Sequence, residues 1–171
     1  MQESEVLATL IGDIYDAILD KSLWNEVLGK AAQFVGAQAG ALLWRNAPSR
    51  CVDVVHACGI ESPYLQMYKE QYAKLDPTMP PMLHREVGEV ASTTDLVSYS
   101  EFLVSPFYKE WVQPQGLVDL VQANLDKSAK GIVHLCFLRN CASGMADDAT
   151  RDRMRLIVPH MRNVALPVAR S

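Results

Sequence analysis

The sequence has 171 residues, of which 49% are hydrophobic, and its 16 basic and 20 acidic residues give a formal net charge of −4. This hydrophobic content excludes a disordered chain, and the acidic balance argues against direct DNA binding, which relies on basic surface to neutralise phosphates. The start of the chain lacks the basic and apolar regions of a signal peptide, and no apolar stretch reaches membrane-spanning length. We therefore expect one cytoplasmic domain that spans residues 1–171 and makes no membrane contact.

The first third of the chain predicts two helices. Apolar residues recur at helical spacing over residues 6–18, which follow a capping residue, Ser4. A second helix is predicted over residues 23–35, with Ser22 as its cap and Gly36 as its terminator. Each helix carries an apolar stripe, so each needs another layer to cover it.

Two β-hairpins are predicted on either side of the middle of the chain. Residues 39–45 and 51–58 are β-prone runs joined by a turn sequence of Asn, Ala, Pro and Ser. Residues 117–125 and 131–139 form a second pair of such runs. A short edge strand is expected at residues 87–91. These segments predict an antiparallel sheet of about five strands.

Between the hairpins, the chain predicts a helix that carries three tyrosines. The helix begins with a serine followed by a proline at 62–63, which is a common combination at a helix start. Tyr64, Tyr68 and Tyr72 then share one helical face at positions i, i+4 and i+8. The helix is expected to end before Pro77, because the residue before a proline avoids helical backbone angles. A proline pair shortly afterwards extends the break.

The end of the chain predicts a long helix over residues 147–169, preceded by one or two short helices within residues 100–111. The long helix has more apolar positions than an edge helix needs to dock on its own sheet. We therefore expect part of this apolar stripe to stay exposed and to form a homodimer interface. The stripe, called the closing-helix seam below, contains Met154, Ile157, Val158, Met161, Val164, Ala165 and Val168.

The order of these elements predicts an α+β fold with helices on the faces of a roughly five-stranded antiparallel sheet. No catalytic motif accompanies it, since the sequence lacks GxSxG, HExxH, a glycine-rich phosphate loop and a dinucleotide fingerprint. The four cysteines and four histidines show no metal-ligand spacing. We therefore expect no enzymatic activity, no cofactor and no metal.

The aromatic residues are the most informative candidates for a binding site. The three tyrosines of the predicted helix face the sheet across an interior shared with Phe102, Phe107, Tyr108 and Trp111. Ligand pockets are mostly apolar with a few polar groups, and phenols supply both properties. The alternative is that these rings form ordinary core. Three tyrosine hydroxyls beside Asp76, His56 or His134, and Gln122 would, however, make this core unusually polar. Buried hydroxyl groups need partners, and a bound ligand would supply one.

Several segments resemble the sensor domain of LuxR-type transcriptional regulators. In that family an aromatic residue, a tyrosine four residues later and an Asp-Pro pair after the same helix form a recurring pattern, which Tyr64, Tyr68 and Asp76-Pro77 match. Tyr64 stands where lactone receptors of the family usually have tryptophan, and the interval from Tyr68 to Asp76 is one residue shorter. The other matching segments are residues 22–28, 101–111, 115–117 and 147–160.

The resemblance implies an α-β-α sandwich related to the PAS and GAF sensor folds, with a cavity between the sheet and the tyrosine-bearing helix. It also implies that Tyr68 and Asp76 correspond to the tyrosine and aspartate that hold the lactone amide in the family. The resemblance further implies three partners for the chain. These are a small, partly apolar signal molecule, a second copy of the chain in a homodimer, and DNA, which is contacted only through a helix-turn-helix outside this sequence. The candidate ligand-binding residues are Tyr64, Tyr68, Tyr72, Asp76, Phe107 and Trp111.

Two alternative functions remain open at this point. The chain is a ligand-free interaction or dimerisation module if the aromatic rings form a solid core. It is a chromophore-holding or haem-holding sensor of the PAS/GAF type if His56, His134 or a cysteine serves as the attachment point. Under the ligand-sensing interpretation, candidate signal molecules range from acyl lactones to aryl and fatty acyl compounds.

Overall fold

The computed structural model describes the backbone of residues 2–170 and the side chains of residues 2–165. Its helices and strands occur in groups along the chain, as the predicted α+β order has them. The helices are α1 (Glu3–Leu19), α2 (Trp24–Val35), α3 (Ser62–Glu70), α4 (Met79–Leu83), α5 (Thr93–Leu96), α6 (Tyr99–Val104) and α7 (Asp148–Arg170). The strands are β1 (Ala39–Asn46), β2 (Val52–Cys58), β3 (Val90–Ser92), β4 (Leu117–Lys127) and β5 (Gly131–Asn140).

The five strands form one antiparallel sheet in the order β2-β1-β5-β4-β3. Both predicted hairpins are present, and the predicted edge strand pairs with β4 a few residues later than expected. The predicted fold class, α+β with a five-stranded antiparallel sheet, is therefore confirmed. Within residues 2–170, none of the helices is both long and apolar enough to cross a membrane.

Each face of the sheet is covered by a different layer. Helices α1, α2 and α7 pack on one face and share a large apolar core with it, which includes Leu28, Phe137 and Met161. On the other face, α3 and the segment around Trp111 cover a second apolar core, called the ligand-side core below. Because side chains alternate along a strand, one strand contributes to both cores.

The second helix ends where the sequence predicted. Gly36 has a φ of +84°, a left-handed conformation that favours glycine, and its N–H donates to the carbonyl groups of the last helical turn. The predicted N-terminal caps of α1 and α2 were wrong. Helix α1 begins before Ser4, and Ser22 lies in a 3-10 turn where its N–H donates to the Asp20 carboxylate.

The tyrosine-bearing helix is shorter than predicted. Helix α3 ends at Glu70, and Tyr72 lies in a separate 3-10 turn, so only Tyr64 and Tyr68 share the helix. The break at the following proline pair was also predicted wrongly. Both prolines lie within α4, because a proline near a helix start sacrifices no intrahelical hydrogen bond.

Helix α5 was not predicted from the sequence. A reciprocal capping pair of Ser92 and Asp95 stabilises its first turn.

The closing-helix seam is intramolecular core, which corrects the prediction that part of it stays exposed. All six of its positions with a described side chain are at most 2% exposed, and they pack against the sheet, α1 and α2. The seventh, Val168, has a side chain outside the described residues. The six described positions are buried because α1 and α2 also pack against α7, a contact that the sequence did not predict.

Candidate functional site

A buried tyrosine–aspartate pair lies on the ligand-side face of the sheet. Tyr68 on α3 donates its hydroxyl to Oδ2 of Asp76 at 3.1 Å, and the two residues are 6% and 3% exposed. The other carboxylate oxygen accepts two hydrogen bonds from Thr78, from its N–H at 2.9 Å and from its hydroxyl at 2.6 Å. The Asp-Pro turn therefore holds the carboxylate in a fixed orientation, facing the helix that carries Tyr68.

Burial dominates the electrostatics of this pair. Desolvation raises the pKa of Asp76, although its hydrogen bonds from Thr78 and Tyr68 and the positive charge of Arg45 oppose that rise. Desolvation, together with the nearby Asp76 carboxylate, also raises the pKa of Tyr68 well above its usual value. Tyr68 therefore stays protonated and acts as a hydrogen-bond donor at neutral pH.

The pair continues into a chain of buried polar side chains on the sheet. Gln122 on β4 contacts the Thr78 hydroxyl at 2.9 Å, and its side-chain oxygen lies 2.7 Å from Nε2 of His134 on β5. Nδ1 of His134 lies 3.1 Å from Oδ1 of Asn124. These side chains are at most 3% exposed. A continuous chain of polar contacts therefore runs across the sheet from Asp76 to Asn124.

The protonation state of His134 determines which hydrogen bonds this path contains. Burial, with a smaller contribution from the charge of Arg45, lowers the pKa of His134 to about 4, so the ring is neutral at pH 7. A neutral imidazole has one N–H. The Asn124 amide donates to the Met82 carbonyl and the Gln122 amide donates to the Thr78 hydroxyl, so both amide oxygens face the ring. The single N–H of the neutral ring therefore donates to one of these two oxygens.

An aromatic layer packs beside Tyr68, between α3 and the sheet. The Trp111 ring lies 5.2 Å from Tyr68 and stacks on Phe107, with ring centroids 5.3 Å apart and an interplanar angle of 13°. Trp111 also donates Nε1–H to the Tyr64 carbonyl on α3 at 2.8 Å. Tyr68, Phe107 and Trp111 are all buried, so the layer is anchored by packing and by a directional hydrogen bond.

A π-helical turn positions the tryptophan. The segment Tyr108–Val112 has π-helical hydrogen bonding, which is uncommon and often occurs at functional sites. A 3-10 turn follows, and Gly116 then ends the segment with a φ of +74°. Both Trp111 and Val112 are buried, so the widened turn places two consecutive side chains in the interior.

A small cavity adjoins the Tyr68 and Trp111 rings. Its volume is about 30 Å³, and its walls come from both hairpins and α3. A space of this size accommodates one or two water molecules. The residues that line it are Ala41, Leu43, Val54, Ile60, Leu65, Tyr68, Trp111, Leu120, Cys136 and Leu138.

The structure brings four of the six candidate residues into one cluster. Tyr68 and Trp111 line the cavity, Phe107 stacks behind Trp111, and Asp76 bonds to Tyr68 from the other side. Tyr64 is half-buried and reaches the cluster through its backbone carbonyl. The remaining candidate, Tyr72, is buried in the ligand-side core from its own 3-10 turn, and it does not line the cavity.

The sequence indicated a polar core with Asp76, Gln122 and one of two histidines, but it did not assign the chain across the sheet or its end at Asn124. A signal for it was present, since Gln122 and Asn124 are alternate residues of one strand and His134 is paired opposite Asn124 on the next. Polar side chains at positions facing a core indicate a specific role. Among the described side chains, no group of three or more His, Cys, Asp or Glu residues is placed to hold a metal ion.

Comparisons with known proteins identify the fold. No protein-family model matches the chain, and no curated protein matches it. The LBD domain of VqsR from Pseudomonas aeruginosa superposes with a TM-score of 0.74 and 16% identity, covering 92% of each chain. The N-acylhomoserine lactone dependent LuxR family transcription factor CepR2 from Burkholderia cenocepacia gives a TM-score of 0.69 at 14% identity, covering 96% of this chain and 98% of that one.

A GAF domain also has a structure similar to that of this chain. The GAF domain of a phosphoenolpyruvate-protein phosphotransferase from Coxiella burnetii has a TM-score of 0.63 at 10% identity and covers 99% of this chain and 97% of its own. The predicted resemblance to LuxR-type sensor domains is thereby confirmed for the fold. The chain has the α+β architecture that these sensor domains share with GAF domains.

Proposed function

We propose that residues 1–171 are the ligand-sensing and dimerisation domain of a cytoplasmic LuxR-type transcriptional regulator. The signal molecule is small and partly apolar, and it binds between the sheet and α3. The observation that carries the proposal is the buried Tyr68–Asp76 hydrogen bond beside an aromatic-lined cavity. The fold shared with ligand-sensing domains supports it.

The polar and apolar parts of the site have separate roles in this proposal. The Asp76 carboxylate accepts an N–H or O–H group of the signal molecule, and the Tyr68 hydroxyl contacts the same polar group. Trp111 and Phe107 pack against its apolar part, while Tyr64 lies at the margin. A few directional hydrogen bonds in an apolar pocket fix the orientation of a ligand and disfavour compounds that bring no donor to the buried carboxylate.

Binding requires the site to expand, since a cavity of about 30 Å³ is far smaller than a signal molecule. The segment that has to move is α3 with the π-helical turn, which Trp111 links through its hydrogen bond to Tyr64. A ligand shifts such an equilibrium only by its preference for the expanded state. This coupling between binding and helix position is how occupancy is transmitted to a helix-turn-helix and to DNA.

A second candidate function follows from the same cavity volume. If the aromatic layer does not open, the chain acts as a ligand-free interaction and dimerisation module. The close stacking of Phe107 on Trp111 favours this alternative. A chromophore or haem has less support, because both ring nitrogens of His134 already contact amide side chains and the His56 ring stacks on Trp24.

Replacing Asp76 with asparagine tests the ligand site. The wild-type protein is titrated with acyl homoserine lactones, aryl compounds and fatty acyl compounds, and the melting temperature is recorded. We expect at least one compound to raise the melting temperature by mass action, and Asp76→Asn to weaken its binding by at least about tenfold because a charge-assisted hydrogen bond is lost. Tyr68→Phe should weaken it less, since one neutral hydroxyl is removed.

The matched control is Asp53→Asn, which removes an exposed carboxylate paired with Lys69 at 3.4 Å. It should bind the same compound as tightly as the wild type does. If no compound raises the melting temperature of any variant, the ligand-free module is the better account. Equal weakening by Asp53→Asn and Asp76→Asn would also rule out the assigned site.

Dimerisation is proposed through apolar side chains outside the closing-helix seam. Leu156 on α7 is 48% exposed, and at the end of α1 Ile18 and Leu19 are 47% and 90% exposed. Arg153, three residues before Leu156, forms a salt bridge with Glu3 of α1 at 3.1 Å, which places Leu156 near the side of α7 that borders α1. An interface built on α7 and α1 is consistent with these positions.

Two substitutions on α7 separate the dimer interface from the core. Leu156→Glu should give a folded monomer, because it places a charge on an exposed apolar position. Met161→Glu should instead prevent stable folding, because that side chain is fully buried and a lone buried charge is costly. Light scattering across a concentration series and circular dichroism measure both effects. A wild type that stays monomeric at high micromolar concentration would contradict the homodimer.

A further inference from the structure

A second concave surface lies at the hairpin end of the sheet, away from the aromatic cavity. It has a volume of about 510 Å³ and is bordered by the turn of the β1–β2 hairpin, the turn of the β4–β5 hairpin and α4. We call it the hairpin groove. Its polar lining comes mainly from Arg45, Arg50, Lys127 and Ser128, and its apolar lining includes Pro80 and Leu83.

The hairpin groove is lined by positive charge, and Asp76, the buried carboxyl whose pKa burial raises and the charge of Arg45 lowers, lies outside its lining. Arg45, Arg50 and Lys127 line it, and no Asp or Glu does. None of the three forms a salt bridge with an acidic side chain in the described part of the chain. The neighbouring Asp126 is paired with Val133, whose side chain belongs to the core on the other face of the sheet. Its carboxylate therefore points away from the groove.

Arg45 is the least satisfied of these cations. Its Nη1 atom is buried and has no hydrogen-bond partner among the described residues. A buried donor that lacks an acceptor, on a charged group, destabilises the folded state unless something else supplies that acceptor. A planar guanidinium binds a carboxylate or a phosphate through two parallel hydrogen bonds, so an anion is the partner that fits.

Lys127 is held in place at the opposite wall. Its ammonium group donates to the carbonyl oxygens of Leu83 at 2.7 Å and Arg85 at 2.5 Å, at the end of α4 and just beyond it. These two bonds leave one of its three N–H groups for another acceptor. A cation that is already ordered loses little conformational entropy when it binds a ligand.

We propose that the hairpin groove binds the anionic group, a carboxylate or a phosphate, of a small molecule. Arg45 and Lys127 contact the anion directly, and Arg50 and the Ser128 hydroxyl complete its surroundings. This site is separate from the aromatic cavity and does not depend on a ligand there. Its chemistry differs too, because the cavity is lined almost entirely by apolar side chains.

The two sites nevertheless adjoin on one face of the sheet. Leu43 lines the cavity and Arg45 lines the hairpin groove, and these are consecutive inward positions of β1. Alternate residues of a strand are about 7 Å apart. The anion is therefore either a free small anion or the head group of a longer molecule whose apolar part extends toward the cavity, and the experiment below distinguishes the two.

A titration of the full chain with inorganic phosphate tests the proposal. Backbone amide NMR signals are followed while sodium phosphate replaces sodium chloride at constant ionic strength. We expect saturable shifts at Ala47, Ser128 and Gly131, which line the groove. Arg45→Met should weaken binding by at least about tenfold. It should also maintain or raise the melting temperature without phosphate, because it removes a buried guanidinium N–H group that lacks an acceptor.

The control variant is Lys74→Gln, which removes an exposed cation outside the groove and should leave phosphate binding unchanged. Arg50→Gln provides a second test if Arg45→Met does not fold. Shifts that do not saturate, or equal weakening by Lys74→Gln and Arg45→Met, would overturn the proposal, because both results indicate non-specific screening.

A parallel titration with octyl phosphate identifies the source of the anion. Octyl phosphate is compared directly with inorganic phosphate. If octyl phosphate binds at least about tenfold more tightly and also shifts the signals of Ala41 and Leu43 in the cavity, the groove holds the head group of an amphipathic ligand. Equal affinity for the two compounds means that it holds a free anion. Both results support the groove as an anion site, whereas no saturable binding of either compound contradicts it.

Discussion

Replacing Trp111 with alanine is expected to lower the free energy of unfolding by about 3–5 kcal/mol. The side chain is 3% exposed and packs between Phe107 and Tyr68, with ring centroids 5.3 and 5.2 Å away. Its removal eliminates both ring contacts and the hydrogen bond from Nε1 to the Tyr64 carbonyl. Urea denaturation followed by circular dichroism measures the change.

The conservative variant Trp111→Phe separates packing from hydrogen bonding. It retains an aromatic ring against Phe107 but loses the Nε1–H donor, so we expect a smaller loss of about 1 kcal/mol. If Trp111→Ala costs no more than Trp111→Phe, the indole does not anchor the layer between α3 and the sheet. The assigned role of the π-helical turn would then be wrong as well.

Acidification is expected to destabilise the protein through His134. Burial lowers the pKa of this residue from 6.5 to about 4 in the folded state, so the unfolded state binds a proton at a higher pH than the folded state does. Stability is therefore fully present above pH 6.5 and is lost as the pH falls toward 4. The shift predicts a loss of about 2 kcal/mol between pH 7 and pH 5 and about 3 kcal/mol by pH 4.

Substitution of His134 isolates this contribution. His134→Gln should remove most of the pH dependence between pH 7 and pH 5, although it also lowers stability at pH 7 by disturbing the contacts to Gln122 and Asn124. The buried Asp76 acts with the opposite sign, because its raised pKa adds stability on protonation at lower pH. His84→Gln, at an exposed position, is the control. A pH profile unchanged in His134→Gln would contradict the assignment.

The resemblance to LuxR-type sensor domains and the shared helical face predicted that Tyr68 and Asp76 lie together, and a hydrogen bond joins them. Their spacing requires one helix, one turn and an Asp-Pro stop, all of which are local features. The strand pairing was also predictable, because the two hairpins have short connections and β-prone runs. Trp111 was predicted from its aromatic neighbours, although the π-helical turn that buries it leaves no clear sequence pattern.

Other features depend on contacts that local sequence does not encode. Helix α3 was expected to reach Tyr72, but it ends earlier and a 3-10 turn carries that residue. The seam on α7 was expected to be partly exposed, because its cover by α1 arises from residues more than 100 positions away. The joining of Asp76 to His134 likewise depends on strand register, which only the assembled sheet defines.

Native mass spectrometry of the purified protein tests the central claim, that a small molecule binds beside Tyr68 and Asp76. The protein is measured as isolated and after incubation with the acyl and aryl compounds described above. We expect one bound small molecule per chain on the wild type and on Asp53→Asn, and much reduced occupancy on Asp76→Asn. If the wild type shows only the mass of the polypeptide under both conditions, the domain is not a sensor of such molecules.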